Sequence, residues 1–373
     1  MKILLLVTGG RGGSDFFQGL LDGHDEIYQF PGILRPTKNF EKIFEMKNPI
    51  KIANKFIEYA PNFFDSSNDS HERHNSLGKN KNQHYKVNKK NFINNFKNLH
   101  NYKTLNNLEI LKMLHEAYYL ARGKKTKKIK ILFIHTHTVE MTRQFLKIVK
   151  LNNYSIIHTM RNPIEAIYSP IKNWLKFKKG KFFAPRDLFF QIDLSLNGIS
   201  DLLKINNKTY TVLLENLLTK RRAVMKDFCK IFKIKFSTKL LNCTYFGLQW
   251  WGDSVSGRWI GKSQKNLKPK NLNLSKYFFE RDINYFKFLS YEISKKYYGE
   301  KYNLSENKNI YINIFPMKAE ILVWKNTFKH KRVKPKVYIK RLLSIPHFYL
   351  KRVILINKFF IKNNYFPYSI GSK

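Results

Sequence analysis

The chain opens "MKILLLVTGGRGGSDFFQGLLDGH". Residues 3–8 form a continuous apolar run without polar alternation, as expected of a short strand buried on both faces. The run stops at a knot of glycines around Arg11, and from Ser14 the apolar residues Phe16, Phe17, Leu20 and Leu21 recur on one helical face, with Ser14 as the expected N-cap. A buried strand that passes directly into a helix reaches its next parallel neighbour by a crossover, so the frame to expect is a parallel sheet covered by helices. The rest of the chain repeats the pattern. Strand-like runs lie at 129–138, 154–163 and 210–217, with "VEMTRQFLKIVK" and a longer helical region from 163 to 206 between them. A helix over 108–123, ending at Gly123, precedes them. The expectation is an α/β three-layer sandwich with a mostly parallel sheet. Ligands of such sheets bind beyond the carboxyl ends of the strands. Arg11, His137, Arg161 and Glu215 all fall at or just past such ends.

Charge narrows the partners. The formal net charge is +43 over 373 residues, which favours polyanions, acidic substrates and anionic bilayer surfaces without identifying any one of them. The two cysteines, Cys229 and Cys243, have no ligand-like spacing, so neither a disulfide framework nor a zinc site is expected, and a reducing, cytoplasmic setting fits. The apolar start is too short for a secretory signal and reads as the first strand. No stretch approaches the length of a membrane span. Residues 62–105 are rich in Asn, Lys and His without sustained periodicity, and read as a low-complexity insertion or mobile loop, with room for short helices, within a domain of residues 1–300. His71 and His74 in that segment have helical metal spacing but no third ligand, so a solvated segment is expected and no metal. Residues 301–373 read as a basic, aromatic C-terminal extension whose Lys/Arg clusters, interleaved with Phe, Tyr and Ile, suit peripheral contact with an anionic membrane.

Two motifs carry chemistry. Glycines in the first turn let backbone amides approach a phosphate, and the helix that follows presents its unpaired N–H groups and the positive end of its dipole. The turn is not a Walker A loop, since Gly13 stands where the lysine before the serine belongs, and it is not the dinucleotide fingerprint, since Asp15 replaces the third glycine. The second motif is "RNPIEAIYS". Arg161 ends a strand, Pro163 suits a first helical turn, and Ser169 follows two turns along, so the guanidinium fork and the hydroxyl can meet one phosphate.

Together the two segments resemble the sulfotransferase family, whose donor is 3′-phosphoadenosine 5′-phosphosulfate. "GRGGSDFF" is similar to that family's 5′-phosphosulfate loop, "RNPIEAIYS" to its 3′-phosphate motif, "VLLENL" to a Tyr-Glu-Asp segment with Leu214 in place of the Tyr, and "SGRWIGKSQKNL" (256–267) to the late Gly-Arg-Trp segment. The ordered matches span roughly residues 3–267. The resemblance implies a P-loop NTPase-like sulfotransferase fold. It implies that Arg11, Gly12, Gly13, Ser14 and Asp15 hold the phosphosulfate, and that Arg161, Ser169 and Arg258 hold the 3′-phosphate. Many cytosolic members carry Lys where Arg11 stands. Arg supplies the same charge but keeps its proton.

In "FIHTHT", His135 and His137 lie on one side of a strand. The segment resembles the Lys-Thr-His strand end of cytosolic sulfotransferases, which implies that His137 is the acceptor's base and that Arg11 acts with it in catalysis. Imidazole titrates near neutrality, as that role requires. His135 is the alternative, and Glu140 and Asp15 are weaker candidates. Trp250 and Trp251 are read as packing before substrate contact. The acceptor, whether carbohydrate, lipid or small molecule, is not written in these motifs, and no specific nucleic-acid partner is expected. The rival readings are a P-loop NTPase or kinase, disfavoured by the missing lysine and by strand ends without a magnesium-binding Asp, and a non-catalytic basic protein that binds nucleic acid or membrane.

Overall fold

The computed structural model describes residues 1–68, 77–101, 104–126, 128–174, 184–205, 208–252, 273–299, 314–329, 335–358 and 368–371. Strand β1 (Lys2–Thr8) passes through the glycine turn into α1 (Ser14–Leu20) and on to β2 (Ile27–Ile33). Helices α2 (Lys38–Phe44), α3 (Pro49–Tyr59), α4 (Pro61–Phe64), α5 (Lys89–His100) and α6 (Asn107–Ala121) then lead to β3 (Ile131–His137). The alternation continues with α7 (Val139–Val149), β4 (Ser155–Met160), α8 (Pro163–Trp174), α9 (Pro185–Leu203), β5 (Thr209–Leu213), α10 (Leu214–Thr219) and α11 (Arg221–Phe232). A small antiparallel hairpin, β6 (Thr244–Tyr245) and β7 (Leu248–Gln249), precedes α12 (Glu280–Leu289), α13 (Tyr291–Tyr298), α14 (Lys318–Lys329), α15 (Pro335–Lys358) and β8 (Tyr368–Ser369).

The main sheet has the order β2-β3-β1-β4-β5-β8, and each neighbouring pair is parallel. Side chains of β1 alternate between two apolar layers, as a strand buried on both faces requires. Leu4 and Leu6 join Phe133, Ile157 and Val212 under α1 and α11, where Phe16, Phe17, Leu20, Met225 and Phe228 close the layer. Ile3 and Leu5 join Leu132 and Ile134 beneath α2, α3, α5, α6 and α7. This is the expected three-layer α/β sandwich with a mostly parallel sheet. β1 sends its connection toward β2 on one side of the sheet, and β4 sends its own toward β5 on the other. The order therefore reverses between the adjacent strands β1 and β4, the position at which sheets of this kind bind ligands.

Three elements differ from the sequence reading. β2, in "IYQFPGI", holds Pro31 and Gly32, which break the strand pattern. The register to β3 slips between Gln29 and Ile33 accordingly. Within 62–105, expected as an insertion or loop with room for short helices, α5 is a helix of 12 residues. Asn88 caps it, and Phe92 and Phe96, one turn apart, are fully buried among the aromatics of α3 and α4. Seven of its other ten positions are Asn or Lys, which masked the apolar face. Ser14 is the first helical residue of α1, and Gly13 is the N-cap.

The described residues past 300 pack against the same body. Met317, Ala319 and Val323 of the α14 region share a core with α8, α9 and α12. β8 pairs with β5, and Ile370 enters the layer under α11.

Candidate functional site

The carboxyl ends of β1, β3, β4 and β5 bring four corners together. In the first, Gly9 N–H donates to Thr159 O of β4 at 2.8 Å, drawing the glycine turn onto the neighbouring strand. The approach is so close at Gly12 that a Cβ there would lie 2.3 Å from the Thr159 carbonyl oxygen. Gly13 has φ +83°, and a Cβ there would meet Leu214 at 2.6 Å. Only glycine fits such positions. Arg11, half-buried, also takes a left-handed backbone, φ 51°. The first intrahelical bond of α1 runs from Phe17 N–H to Gly13 O, so the amides of Ser14, Asp15 and Phe16 precede the ladder. The Gly12 amide, assigned to the anion by sequence, already donates to Thr8 Oγ1 at 3.4 Å. The turn is thus a backbone cradle braced by β4 and the start of α10.

At the second corner, Asn162 caps α8, its side-chain oxygen accepting from Ile164 N–H at 3.1 Å, and Pro163 takes the first helical position as expected. Arg161 holds its guanidinium over the same turn and donates from both Nε and Nη2 to Glu165 Oε2, the former at 3.0 Å. A carboxylate thus sits where the fork can receive an oxyanion. Ser169 lies farther along α8 and is half-buried. At the third corner, Glu215 opens α10. It accepts from Asn162 N–H at 3.1 Å and from the Tyr298 hydroxyl at 3.2 Å, tying the ends of β4, β5 and α13 together. Desolvation pushes its carboxyl above the ordinary range despite the Asn162 amide and Arg161, and burial raises the Tyr298 phenol as well.

The fourth corner holds the histidines. β3 pairs with β1 through an irregular register, Leu6 opposite His135 and Val7 opposite His137, and His137 adopts φ 75°. A bulge of this kind re-aims side chains, and a left-handed backbone at a non-glycine residue is strain held by its surroundings. His135 is buried and His137 half-buried, with His137 Nδ1 3.2 Å from His135 Nε2. His135 Nδ1 in turn lies 2.9 Å from Gln18 Oε1.

The tautomers follow from the far end of this chain. Gln18 Nε2 donates to the carbonyls of Phe30, at 2.7 Å, and Gly32, at 3.4 Å, which leaves Oε1 as the atom facing His135. Oε1 can only accept, so His135 Nδ1 carries a proton, and Nε2 of the neutral ring accepts from His137 Nδ1–H. The lone pair of neutral His137 then resides on Nε2. Asp15 places a carboxylate oxygen 3.8 Å from His135 Nδ1. Asp15 is expected both in the donor loop and as a weaker base candidate. Its amide lies ahead of the helix ladder, and its carboxylate faces His135.

Glu140 bonds Gln144 at 3.0 Å on the exposed side of α7. Trp250 packs edge-on against Tyr245, and Trp251 donates to Gly78 O at 2.6 Å, so both indoles brace the β6–β7 hairpin. Arg258, His71 and His74 lie outside the described residues. Gln18, Glu165 and Tyr298 went unnoticed in the sequence. Glu165 alone had a local signal, four residues after Arg161 on a helix. A separate cavity of about 600 Å³ opens beyond the far end of α1, lined by Asp22, Arg122, Lys124, Lys239 and Phe246 among others, and shares no lining residue with the four corners.

No family model matches the sequence, and no curated protein does. Among solved structures, the chain is similar to the sulfotransferase domain of the Synechococcus olefin synthase, with 11 % identity and a TM-score of 0.36 over 81 % of this chain and 95 % of that one. It is also similar to the sulfotransferase domain of the curacin biosynthetic pathway, with 12 % identity and a TM-score of 0.37 over 79 % and 97 %.

Proposed function

We propose that the chain is a sulfotransferase that moves a sulfonate group from 3′-phosphoadenosine 5′-phosphosulfate to a hydroxyl or amine acceptor. The observation that carries this reading is the convergence, at the β1–β4 reversal, of a rigid backbone cradle, an arginine fork that already grips a carboxylate, and a histidine whose lone pair is fixed by a buried hydrogen-bond chain. The donor offers two anionic groups, and the site has two anion-suited corners. Gly13, Ser14 and the Asp15 amide, with Arg11, would hold the phosphosulfate. Arg161 and Ser169 would hold the 3′-phosphate, with Arg258 joining them by resemblance.

When bound, the donor supplies an activated sulfonate, whose transfer makes the new bond to the acceptor and breaks the bond from sulfur to the bridging phosphate oxygen. The chain's own part is electrostatic and protonic. Arg11 and the amides ahead of α1 neutralise charge at the cradle, where preorganised donors act most strongly. His137 Nε2 takes the acceptor's proton. His135 fixes the ring and Asp15 favours the resulting positive charge. Arg11, permanently charged, stabilises the leaving phosphate oxygen without giving it a proton.

Thermal denaturation with 3′-phosphoadenosine 5′-phosphate and with ADP tests the reading. The 3′-phosphorylated nucleotide should raise the melting temperature more than ADP. Equal stabilisation, or magnesium-dependent stabilisation by ADP or ATP alone, favours the nucleotide-hydrolysing rival and removes the proposal.

A further inference from the structure

α15 is docked on the body by one side and open on the other. On the inner side, Arg352 is buried and donates to both carboxylate oxygens of Glu320 on α14, at 3.0 and 2.9 Å. Phe348 packs on Phe189 of α9 and Tyr349 on Trp324 of α14. The outer side carries Ile339, Leu343, Leu350 and Ile354, exposed by 56, 66, 57 and 52 %. At about 100° per residue these four share an arc of roughly 60° along the helix. Exposed Lys336, Lys340 and Lys351 run along one flank of the stripe, and the helix contains no Asp or Glu. An apolar stripe beside cations on a helix held rigidly from behind is the pattern of an element that lies in a bilayer interface.

We infer that the outer face of α15 docks this protein on an anionic bilayer surface, with Ile339, Leu343, Leu350 and Ile354 entering the headgroup–acyl boundary and Lys336, Lys340 and Lys351 meeting lipid phosphates. Charge selects this occupant over a second copy. Two such helices packed face to face would bring their lysines together with no acidic residue on either helix to pair them. A bilayer supplies both the apolar phase and the counter-charge. Among the described residues no helix is long and apolar enough to cross a membrane, so the contact is of a helix lying on the surface. The inference is independent of the reaction proposed above.

The test is co-sedimentation of the full chain with phosphatidylcholine vesicles made with and without phosphatidylglycerol. Binding is expected to the anionic vesicles and not to the neutral ones. A chain of this charge could adhere by electrostatics alone, so the uncharged double variant Leu343→Gln/Leu350→Gln decides. Its affinity should fall on the order of 100-fold with the melting temperature unchanged. The triple variant Lys336→Gln/Lys340→Gln/Lys351→Gln should lose a similar factor, about five-fold per lysine. In Leu350→Trp, the added fluorescence should be quenched by brominated acyl chains in anionic vesicles. Undiminished binding by the leucine variant, or unquenched tryptophan, overturns the inference. So does a dimer in vesicle-free solution that the leucine variant dissociates, because a second copy would then cover the face.

Discussion

Arg161 and Arg352 each grip a glutamate through Nε and Nη2, and the two pairs sit in different worlds. Arg161 reaches Glu165 on its own helical turn, with side chains 12 and 25 % exposed. Arg352 reaches Glu320 on another helix, 32 residues away, with side chains 1 and 7 % exposed. Around the second pair both residues bond further groups. Arg352 also donates to Phe315 O at 3.3 Å, and Glu320 accepts from Met317 N–H at 2.9 Å. A local, half-wet pair can exchange its carboxylate for a ligand at little cost. A buried pair between helices cannot, because either partner alone would be a desolvated charge. The strand-end pair can therefore change partners, and the pair in the C-terminal helical layer keeps them.

The sharpest separation of the two regions comes from His137→Ala, which should lower sulfonate transfer by about 10²–10⁴-fold, the range for loss of a general base. The affinity for 3′-phosphoadenosine 5′-phosphate should survive, and the melting temperature should move little, because the ring is only half-buried at the strand end. Near-normal turnover in a folded, nucleotide-binding variant would assign the base elsewhere, with His135 the next residue to change.

Arg352→Ala should do the reverse. Leaving Glu320 buried and unpaired costs about 3–5 kcal/mol, read as a shift in the denaturant midpoint, while nucleotide affinity in the folded protein stays put. The double variant Arg352→Met/Glu320→Leu should recover most of that loss, since removing both charges also removes their desolvation. A double variant as unstable as the single one would mean that the packing around α15, and not the charge, had been damaged.

The difference between the regions also explains what could be read from the sequence. β1, β3, β4, β5 and the helices α6 and α7 announced themselves because their apolar residues recur at one period and their ends carry Gly, Pro or a capping residue. The cradle was legible for the same reason, since Gly12 and Gly13 are demanded by local sterics against Thr159 and Leu214. The two-residue repeat of a strand put His135 and His137 on one side, and they meet, though through a bulge with His137 at φ 75°. Gln18 was not legible, because its bond to His135 joins positions 117 apart in sequence and only the sheet order brings α1 onto β3. β8 was hidden by the same cause, two residues whose place is defined by β5 alone. β2 was masked by its Pro-Gly step, and α5 by polar residues around two phenylalanines. The stripe on α15 lay within a region read only as basic and aromatic, and its one-sidedness needed the inner contacts to be seen.

The smallest effects lie in the exchangeable pair itself, and they decide whether it is exchangeable. Arg161→Ala should weaken 3′-phosphoadenosine 5′-phosphate by roughly one to two orders of magnitude, since charge-assisted hydrogen bonds contribute about 1.5–3 kcal/mol. It should barely change the affinity of the analogue lacking the 3′-phosphate. Glu165→Gln acts in the opposite direction. The carboxylate competes with phosphate for the same guanidinium, and a partly exposed i,i+4 pair contributes only about 0.2–1 kcal/mol, so its removal should tighten nucleotide binding by about two- to five-fold. Calorimetric titration of both variants with both nucleotides separates the cases. Tighter binding of the 3′-phosphorylated nucleotide alone fits a carboxylate that gives way to the ligand. Weaker binding would mean that Glu165 holds the guanidinium in its receiving pose, and the pair at the site would then resemble Arg352 and Glu320 in kind, a fixture whose two members are needed together.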